Sequence, residues 1–515
     1  MSQQHSAAGR SGPPANLAAA FDAQLAAAKD QIALVIEDEQ WTRAQVADLA
    51  ARALGALIGS GVKKGERIVA QYDTAAEDIA LALAAARIGA TFLPIPKRMG
   101  VREINYILER SEATFFAHAD AAPPAGIVPP PGARISATRA LIDAAPVQQP
   151  VAETGADHIA LIGVTSGSTG QPKGVMHGWS GVAWAAERMR ALADVQPGEA
   201  VLVTGAGAGA PGFTFFTYLG LAHGAVIVRA ARWDPRRVLT LAHRHRCVWS
   251  TMVPTMLQML IDARPDVLGP AKLEHMRAVT VGGSFMSPAL IRRAREELGT
   301  EVLRMYAMAE CMSHSSTLLG DSEDERDTMD GRPGPDAELA VFNDGGERLG
   351  IDEVGEVGMR GPSLLRGYLA DPEGKAKLMT RDGFFLSGDL GKVTPAGFVK
   401  IVGRKKDMII RGGFNIDPAE VEELLKQHPA VAKVVVVGYP DPMFGEKACA
   451  VIEPVPGRGI AFDEMTSFLQ SLGLSKEKMP ERLELREALP LSPDGKILKA
   501  KVRQEIGTDP ATALQ

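Results

Sequence analysis

Cysteine is scarce and scattered in this chain: Cys247, Cys311 and Cys449 are the only three in 515 residues, and no two form a C-x-x-C pair. A disulfide framework or a thiolate zinc site is therefore not expected, and a reducing, cytoplasmic setting fits. Aromatic residues make up only 5%, so bases or sugars stacked on aromatic platforms are not the leading idea. Charge of one sign does not prevail either. Lys plus Arg number 56 and Asp plus Glu 62, a net charge of −6, which leaves no electrostatic footprint for nucleic acid. Met1 to Pro14 has no apolar h-region and does not read as a secretory signal. Asp, Glu, Lys and Arg are all missing from Ala200 to Val228, a run long enough to span a bilayer. Its six glycines and Pro211 divide it into AVLVT, a Gly/Ala loop, an apolar helix and AVIV. It is expected as a buried strand–loop–helix–strand, with no stable membrane insertion.

What the chain does have is apolar content, at 46%, enough for large buried cores. Residues 41–59 carry apolar side chains at helical spacing and stop at Gly59 and Gly61. ERIVAQYD then reads as a strand, EDIALALAAARIGA as a helix and TFLPIP as a strand, an alternation that implies parallel strands with right-handed crossovers. Residues 119–156, rich in Pro, Ala and Gly, read as a surface excursion. From Asp336 short strands with turns take over: AELAVFNDGG, GEVGMRG, DGFFLSGDLGKV and GFVKIVG. After Gly403-Arg404-Lys405-Lys406-Asp407 the pattern restarts with helix, strand, strand, helix. The expected fold is α/β: a disordered tail over 1–15, a large N-terminal body over 16–403 with a β-rich subdomain at about 336–403, a hinge at 404–407 and a small mobile α+β domain over 408–515.

The sharpest chemical signal is Thr165-Ser166-Gly167-Ser168-Thr169-Gly170-Gln171-Pro172-Lys173-Gly174, directly after the apolar run HIALIGV. Glycines let consecutive backbone N–H groups converge on anionic oxygens, hydroxyls add donors and Lys173 adds charge. The spacing is not that of the G-x-x-x-x-G-K-[ST] loop. A second glycine pattern, Gly207-x-Gly209-x-x-Gly212, follows a strand and precedes an apolar helix; with Arg229 available for a 2′-phosphate it keeps open a remote alternative, an NADP-dependent oxidoreductase. No second mononucleotide half accompanies it. Isolated histidines, His243-x-His245 included, are expected on solvated helix faces rather than as metal ligands.

From about residue 30 to 503, six motifs in order resemble the adenylate-forming enzymes, the family of acyl-CoA synthetases, luciferases and peptide-synthetase adenylation domains. They are the loop just quoted, Gly282-Gly283-Ser284, Tyr306-Ala307-Met308-Ala309-Glu310, Ser387-Gly388-Asp389, the Gly403–Asp407 segment with Arg411-Gly412-Gly413-Phe414, and Pro490-Leu491-Ser492-Pro493-Asp494-Gly495-Lys496. The resemblance implies ATP, Mg²⁺ and coenzyme A as cofactors. It implies Lys496 as the catalytic cation, Glu310 with Thr169 on Mg²⁺, and an adenine-side turn at Gly283 and Ser284 with Tyr306 nearby. It also implies Asp389 on the ribose with Arg404, Lys406 as hinge, and Gly412 and Gly413 beside a pantetheine path. Carboxylate attack on the α-phosphate crowds anions together, which is why such a site needs cations and alignment.

Two departures bear on mechanism. Ala309 stands where the family has a hydroxyl residue and Ala307 where it has Gly. A hydroxyl on a charged group contributes on the order of 1.5–3 kcal/mol, so an enzyme specialised for the thioester half-reaction on a preformed acyl-adenylate is an open alternative. The uncharged loop Gly205–Gly212 with Phe213, Phe215 and Phe216 suggests an apolar acyl site, for an aryl, alicyclic, fatty or terpenoid acid, although an ordinary packed core accounts for the same residues. Free CoA and a carrier protein offer the same thiol arm, and a monomer or a homodimer is equally compatible.

Overall fold

The computed structural model describes residues 15–166, 172–205, 207–283, 286–405, 407–411, 414–441, 444–474, 476–492 and 496–507. Two compact units emerge: Met1–Leu339 with Met359–Phe385 and Gly397–Val399, and Ala340–Gly358 with Leu386–Ala396 and Lys400–Gln515.

In the first unit the helix–strand alternation builds two sheets. Local chemistry sets the helix ends. Thr42 caps Arg43–Gly59: its hydroxyl accepts the Gln45 N–H at 3.2 Å, and the Gln45 side chain accepts the Thr42 N–H at 2.8 Å, a reciprocal capping box. Ala76–Ile88 stops at Gly89, whose φ of +77° suits a left-handed cap without a Cβ penalty.

The larger sheet has nine strands in the order Arg332–Pro333, Cys311–Ser316, Glu301–Met308, Ala278–Gly282, Trp249–Met252, Ala200–Val203, Val226–Arg229, Ile32–Ile36, Glu39–Thr42. The six from Glu301–Met308 to Ile32–Ile36 run parallel, and antiparallel strands flank them. Parallel strands are covered on both faces and so read as unbroken apolar runs. Leu202, Val228, Val279 and Val281 join one core cluster, and their neighbours Val201, Val203 and Ile227 join another.

The second sheet has seven strands: Gly367–Tyr368, Pro172–His177, Leu161–Ser166, Thr91–Pro96, Arg67–Tyr72, Phe115–His118, Arg134–Ala137. Val69, Leu93, Ile95 and Phe116 pack on Ile104, Ile107 and Leu108 of the helix Val101–Arg110. Ile68, Phe92 and Phe115 point the other way, into the cluster that also takes one face of the nine-stranded sheet.

The charge-free run resolves into the strand Ala200–Val203, a helical stretch from Gly209 to His223 and the strand Val226–Arg229. Its middle, Phe213–Tyr218, is a π-helix whose six residues are all buried. Among the described residues no helix is long and apolar enough to cross a membrane. The Pro-rich excursion is more structured than its composition suggests. Arg134–Ala137 extends the seven-stranded sheet in parallel beside Phe115–His118, and Leu141 and Ile142 after it are buried. None of the four residues of this edge strand is buried, so no apolar run announces it.

The four strands expected after Asp336 form one sheet in the order Glu338–Phe342, Gly355–Arg360, Phe385–Val393, Val399–Arg404. The last sheet runs Phe414–Ile416, Ile409–Arg411, Gly445–Pro454, Val431–Asp441, with Arg482–Leu485 parallel to Gly445–Pro454. Its Val434–Val437 run is split by the pleat. Val434 and Val436 meet Val421, Leu425, Met465 and Leu469 from two helices, while Val435 and Val437 meet Val502 and Ile506 from a third.

Inside the first unit a Cβ at Gly163 would lie 2.5 Å from the Ala210 Cβ and 2.6 Å from its backbone nitrogen. Gly163→Ala is therefore expected to cost about 1–3 kcal/mol through overpacking, read as a lower urea midpoint. An unchanged midpoint would show that the Gly205–Gly212 loop does not press on this strand.

Candidate functional site

The strands Leu161–Ser166 and Pro172–His177 pair antiparallel with Thr165 opposite Lys173 and Ser166 opposite Pro172. The Thr165 hydroxyl donates to the Lys173 carbonyl at 3.5 Å. Gly167, Ser168, Thr169 and Gly170 connect these strands and lie outside the described residues. Gly283 follows the strand Ala278–Gly282 with a φ of +85°, and Ser284 lies outside the described residues. Tyr306, on the neighbouring strand Glu301–Met308, is 9% exposed.

Glu310 sits in the turn between Glu301–Met308 and Cys311–Ser316, where Met308 faces Cys311. Three contacts fix that turn. His177 Nε2 lies 2.9 Å from the carbonyl of Ala309. The Leu365 N–H donates to the Glu310 carbonyl at 2.7 Å. The Tyr368 hydroxyl donates to Glu310 Oε1 at 2.9 Å. Tyr368 pairs with Val175 of the strand Pro172–His177, and the Lys173 ammonium lies 5.5 Å from its ring centroid. The hairpin thus brings Lys173 and Glu310 to opposite parts of one tyrosine.

Burial of His177 pushes its pKa down to about 4, against a smaller opposing effect of the Ala309 carbonyl. Its ring is neutral at pH 7 and donates through Nε2–H, while Nδ1 is buried with no hydrogen-bond partner among the described residues. Burial also raises the Tyr368 hydroxyl, and the neighbouring Glu310 raises it further, so it stays a neutral donor. The Cys311 thiol beside Glu310 is pushed up to about 12 by burial and is no nucleophile.

In the second unit Asp389 is 8% exposed, and its Oδ1 lies 3.1 Å from Arg404 Nε. Ser387 braces it: the hydroxyl donates to the Val357 carbonyl at 2.8 Å and accepts the Asp389 N–H at 3.1 Å. Lys405 is clipped by Asp344 at 2.8 Å and Glu356 at 2.9 Å. Lys406, Gly412 and Gly413 lie outside the described residues. Lys496 is exposed. The Ser492 hydroxyl accepts the Lys496 N–H at 3.0 Å and donates to its carbonyl at 3.1 Å. Three residues on, Lys499 pairs with the buried Glu422 at 2.7 Å.

Glu310 fits a hard divalent cation: its carboxylate takes a neutral hydroxyl donor and, among the described residues, no ion pair neutralises it. No group of three or more His, Cys, Asp or Glu among the described residues could hold a metal. One protein carboxylate suits Mg²⁺, which keeps several waters and takes phosphate oxygens.

Two expectations from the sequence need correction. Histidines are not confined to solvated helix faces: His118, His177, His223, His314 and His428 are all buried, and His118, His177 and His314 each set a ring nitrogen against a backbone carbonyl. Within Gly207-x-Gly209-x-x-Gly212, Gly207 and Gly212 serve close packing, while Gly209 meets its left-handed φ of +78°. A Cβ at Gly207 would lie 1.9 Å from Thr74 Oγ1, and one at Gly212 would lie 2.8 Å from the Gly207 carbonyl carbon. Arg229 is buried and paired with Asp73 at 3.2 Å, so it does not await a 2′-phosphate. Phe213, for its part, contacts Tyr72 and Phe92, and Phe216 contacts Trp249; these rings are core.

Sequence reasoning missed His177 and Tyr368. His177 carries a faint signal, four residues after Lys173 and hence on the same face of a strand. Tyr368 carries none, since its partner strand lies almost 200 residues earlier in the chain.

The AMP-binding enzyme family matches residues 21–369, and the AMP-binding enzyme C-terminal domain matches 420–496. Feruloyl-CoA synthase from Amycolatopsis sp is 31% identical over 90% of this chain and 94% of its own. Long-chain-fatty-acid–CoA ligase FadD13 from Mycobacterium tuberculosis (strain CDC 1551 / Oshkosh) is 30% identical over 91% and 93%. Among solved structures, ATP-bound MatB from Rhodopseudomonas palustris superposes with a TM-score of 0.86 at 25% identity, covering 96% of this chain and 99% of its own.

The His177 geometry predicts a pH signature. A histidine depressed to about 4 in the fold binds its proton more readily when unfolded. Its contribution is therefore full above the unfolded value of about 6.5 and is lost as pH falls towards 4. The apparent Tm should drop across that window, and His177→Gln, which keeps an N–H donor but cannot titrate, should make the drop shallower. An identical pH profile for the variant would contradict a neutral, buried His177.

Proposed function

This chain belongs to the AMP-binding enzyme family and is an AMP-forming acid–thiol ligase using ATP, Mg²⁺ and CoA, and on that premise we propose that its acid is hydrophobic: aryl, alicyclic, fatty or terpenoid. The observation that carries this substrate class is the absence of Asp, Glu, Lys and Arg from Ala200 to Val228. The loop Gly205–Gly212 within it lines the acyl site, so a second carboxylate on the substrate finds no cation there and pays its desolvation uncompensated. Feruloyl and long-chain fatty acyl groups, in the names of the two relatives above, are both of this kind.

The reaction proceeds in two halves. The acid's carboxylate attacks the α-phosphorus of ATP, the bond to the β-phosphate oxygen breaks, and pyrophosphate leaves. The CoA thiol then attacks the acyl carbonyl, the thiol proton is lost, and AMP leaves with the electron pair of the broken C–O bond. Lys173 and the backbone of 167–170 hold the phosphates. Gly283, Ser284 and Tyr306 hold the adenine side, while Asp389 with Arg404 holds the ribose. Lys496 adds the cation that lets two anions approach. Mg²⁺, held by Glu310 and Thr169, would neutralise phosphate charge. Lys406 is the pivot between the halves, and Gly412 and Gly413 flank the pantetheine arm.

The absence of a hydroxyl at Ala309 does not argue for a chain that has lost adenylation. The Ala309 carbonyl is bonded by His177 and the Glu310 carboxylate by Tyr368, so the turn is fixed by other means. Both half-reactions are therefore assigned to this enzyme.

Incubation with a panel of hydrophobic acids and dicarboxylates, ATP and CoA, with acyl-AMP and acyl-CoA read separately by mass, tests this reading. Hydrophobic monoacids should give both products. Turnover of dicarboxylates alone would refute the substrate class, adenylate without CoA thioester would favour a carrier-protein acceptor, and thioester only from supplied adenylate would favour the specialised enzyme. Lys496→Ala should slow ATP–pyrophosphate exchange by about 100-fold or more while thioester formation from synthetic acyl-adenylate stays within about threefold. Equal loss in both halves would contradict its role.

A further inference from the structure

Lys173 and Glu310 are opposite charges brought to one tyrosine. Lys173 Nζ lies 5.5 Å from the Tyr368 ring centroid, and the Tyr368 hydroxyl is 2.9 Å from Glu310 Oε1. Among the described residues no ion pair joins Lys173 to Glu310. Left to themselves, a flexible ammonium and a carboxylate this near would close into a contact pair, and an incoming triphosphate would have to break it.

We propose that Tyr368 is a positioning residue that separates Lys173 from Glu310 and presents them as two independent charges to the metal-bound triphosphate. This rests on the roles assigned to Lys173 and Glu310 above. One side chain serves both ions: the negative face of the ring attracts the ammonium, and the hydroxyl donates a charge-assisted hydrogen bond to the carboxylate.

The ring is fixed on both sides by backbone. The Arg366 N–H donates to the Met176 carbonyl at 2.7 Å, and the Leu369 N–H donates to the Gly174 carbonyl at 2.8 Å. Tyr368 itself is 7% exposed. The Leu365 N–H on the Glu310 carbonyl ties the same segment to the turn that carries the acid. Lys173, by contrast, is exposed on its strand and free to swing, so the ring is what decides where its charge rests.

Calorimetric titration of the full chain with α,β-methylene-ATP, with and without Mg²⁺, tests this without turnover. Tyr368→Phe keeps the ring: metal-free affinity should stay within about twofold, while the tightening caused by Mg²⁺ falls about tenfold through loss of the bond to Glu310. Tyr368→Leu removes the spacer and lets Lys173 reach Glu310, so metal-free affinity should also fall about tenfold. Adding Glu310→Gln to Tyr368→Leu frees Lys173 again and should return metal-free affinity to within about threefold of wild type. A merely structural role for Tyr368 would give no such recovery, and absence of recovery overturns the proposal. Lys173→Met alone distinguishes the deeper failure. If it leaves nucleotide affinity unchanged, the assignment of Lys173 falls and the proposal with it; if it weakens binding while the double variant fails to recover, only the spacer role falls.

Discussion

The antiparallel register of Leu161–Ser166 against Pro172–His177, with Tyr368 added at the edge opposite Val175, underlies the geometry of the first unit's site. Side chains on a strand alternate faces, so Lys173 and His177, four apart, share one. A one-residue slip would turn both away together. With the observed register, His177 reaches the Ala309 carbonyl and Lys173 reaches the Tyr368 ring, and the turn bearing Glu310 is tied to the strand bearing the phosphate-loop lysine. Backbone pairing thus holds together the two segments that carry the cation and the carboxylate, and Tyr368 meets both side chains.

That pairing also explains why the site was only half legible in the sequence. The strands, the capped helices and the Ser/Thr/Gly run announce themselves locally. Val434–Val437 reads as a strand because both its faces are buried, and residues 41–59 read as a helix because their apolar side chains recur at helical spacing and stop at Gly59 and Gly61. Tyr368 cannot be read this way. It belongs to a two-residue strand whose meaning comes wholly from Val175, far away in sequence. His177 was obscured for a different reason: composition favours solvent for an isolated histidine, and only the fold reveals that a carbonyl awaits its N–H. The edge strand Arg134–Ala137 was hidden among prolines because it is short and none of its residues is buried.

The second unit presents an exposed lysine, Lys496, whose backbone is bonded to one serine. The Ser492 hydroxyl bonds both the N–H and the carbonyl of Lys496, and the Ser492 N–H donates to the same carbonyl at 2.7 Å. Lys499, next but two, is drawn to Glu422, which also accepts the Val436 N–H at 2.8 Å. Removing one member of that buried pair would leave an uncompensated charge.

A further constraint acts beneath the first unit's site, at the carboxyl ends of the parallel strands, where α/β folds bind their ligands. Arg229 closes the charge-free run and pairs with Asp73, which follows the strand Arg67–Tyr72 of the other sheet. Buried ion pairs are poor sources of net stability, so this one is better understood as fixing geometry. Asp78 reinforces it, accepting the N–H groups of Asp73 at 2.8 Å and Ala75 at 3.1 Å, with its carboxyl pushed up to about 6 by burial. Between these residues Thr74 takes a left-handed φ of +59° against Gly207, a conformation that costs energy outside glycine and persists only where its surroundings hold it. The two sheets are therefore tied to each other at the carboxyl ends of two interior strands, Val226–Arg229 and Arg67–Tyr72. The uncharged Gly205–Gly212 loop can come so near the second sheet only because glycine there leaves room for Thr74.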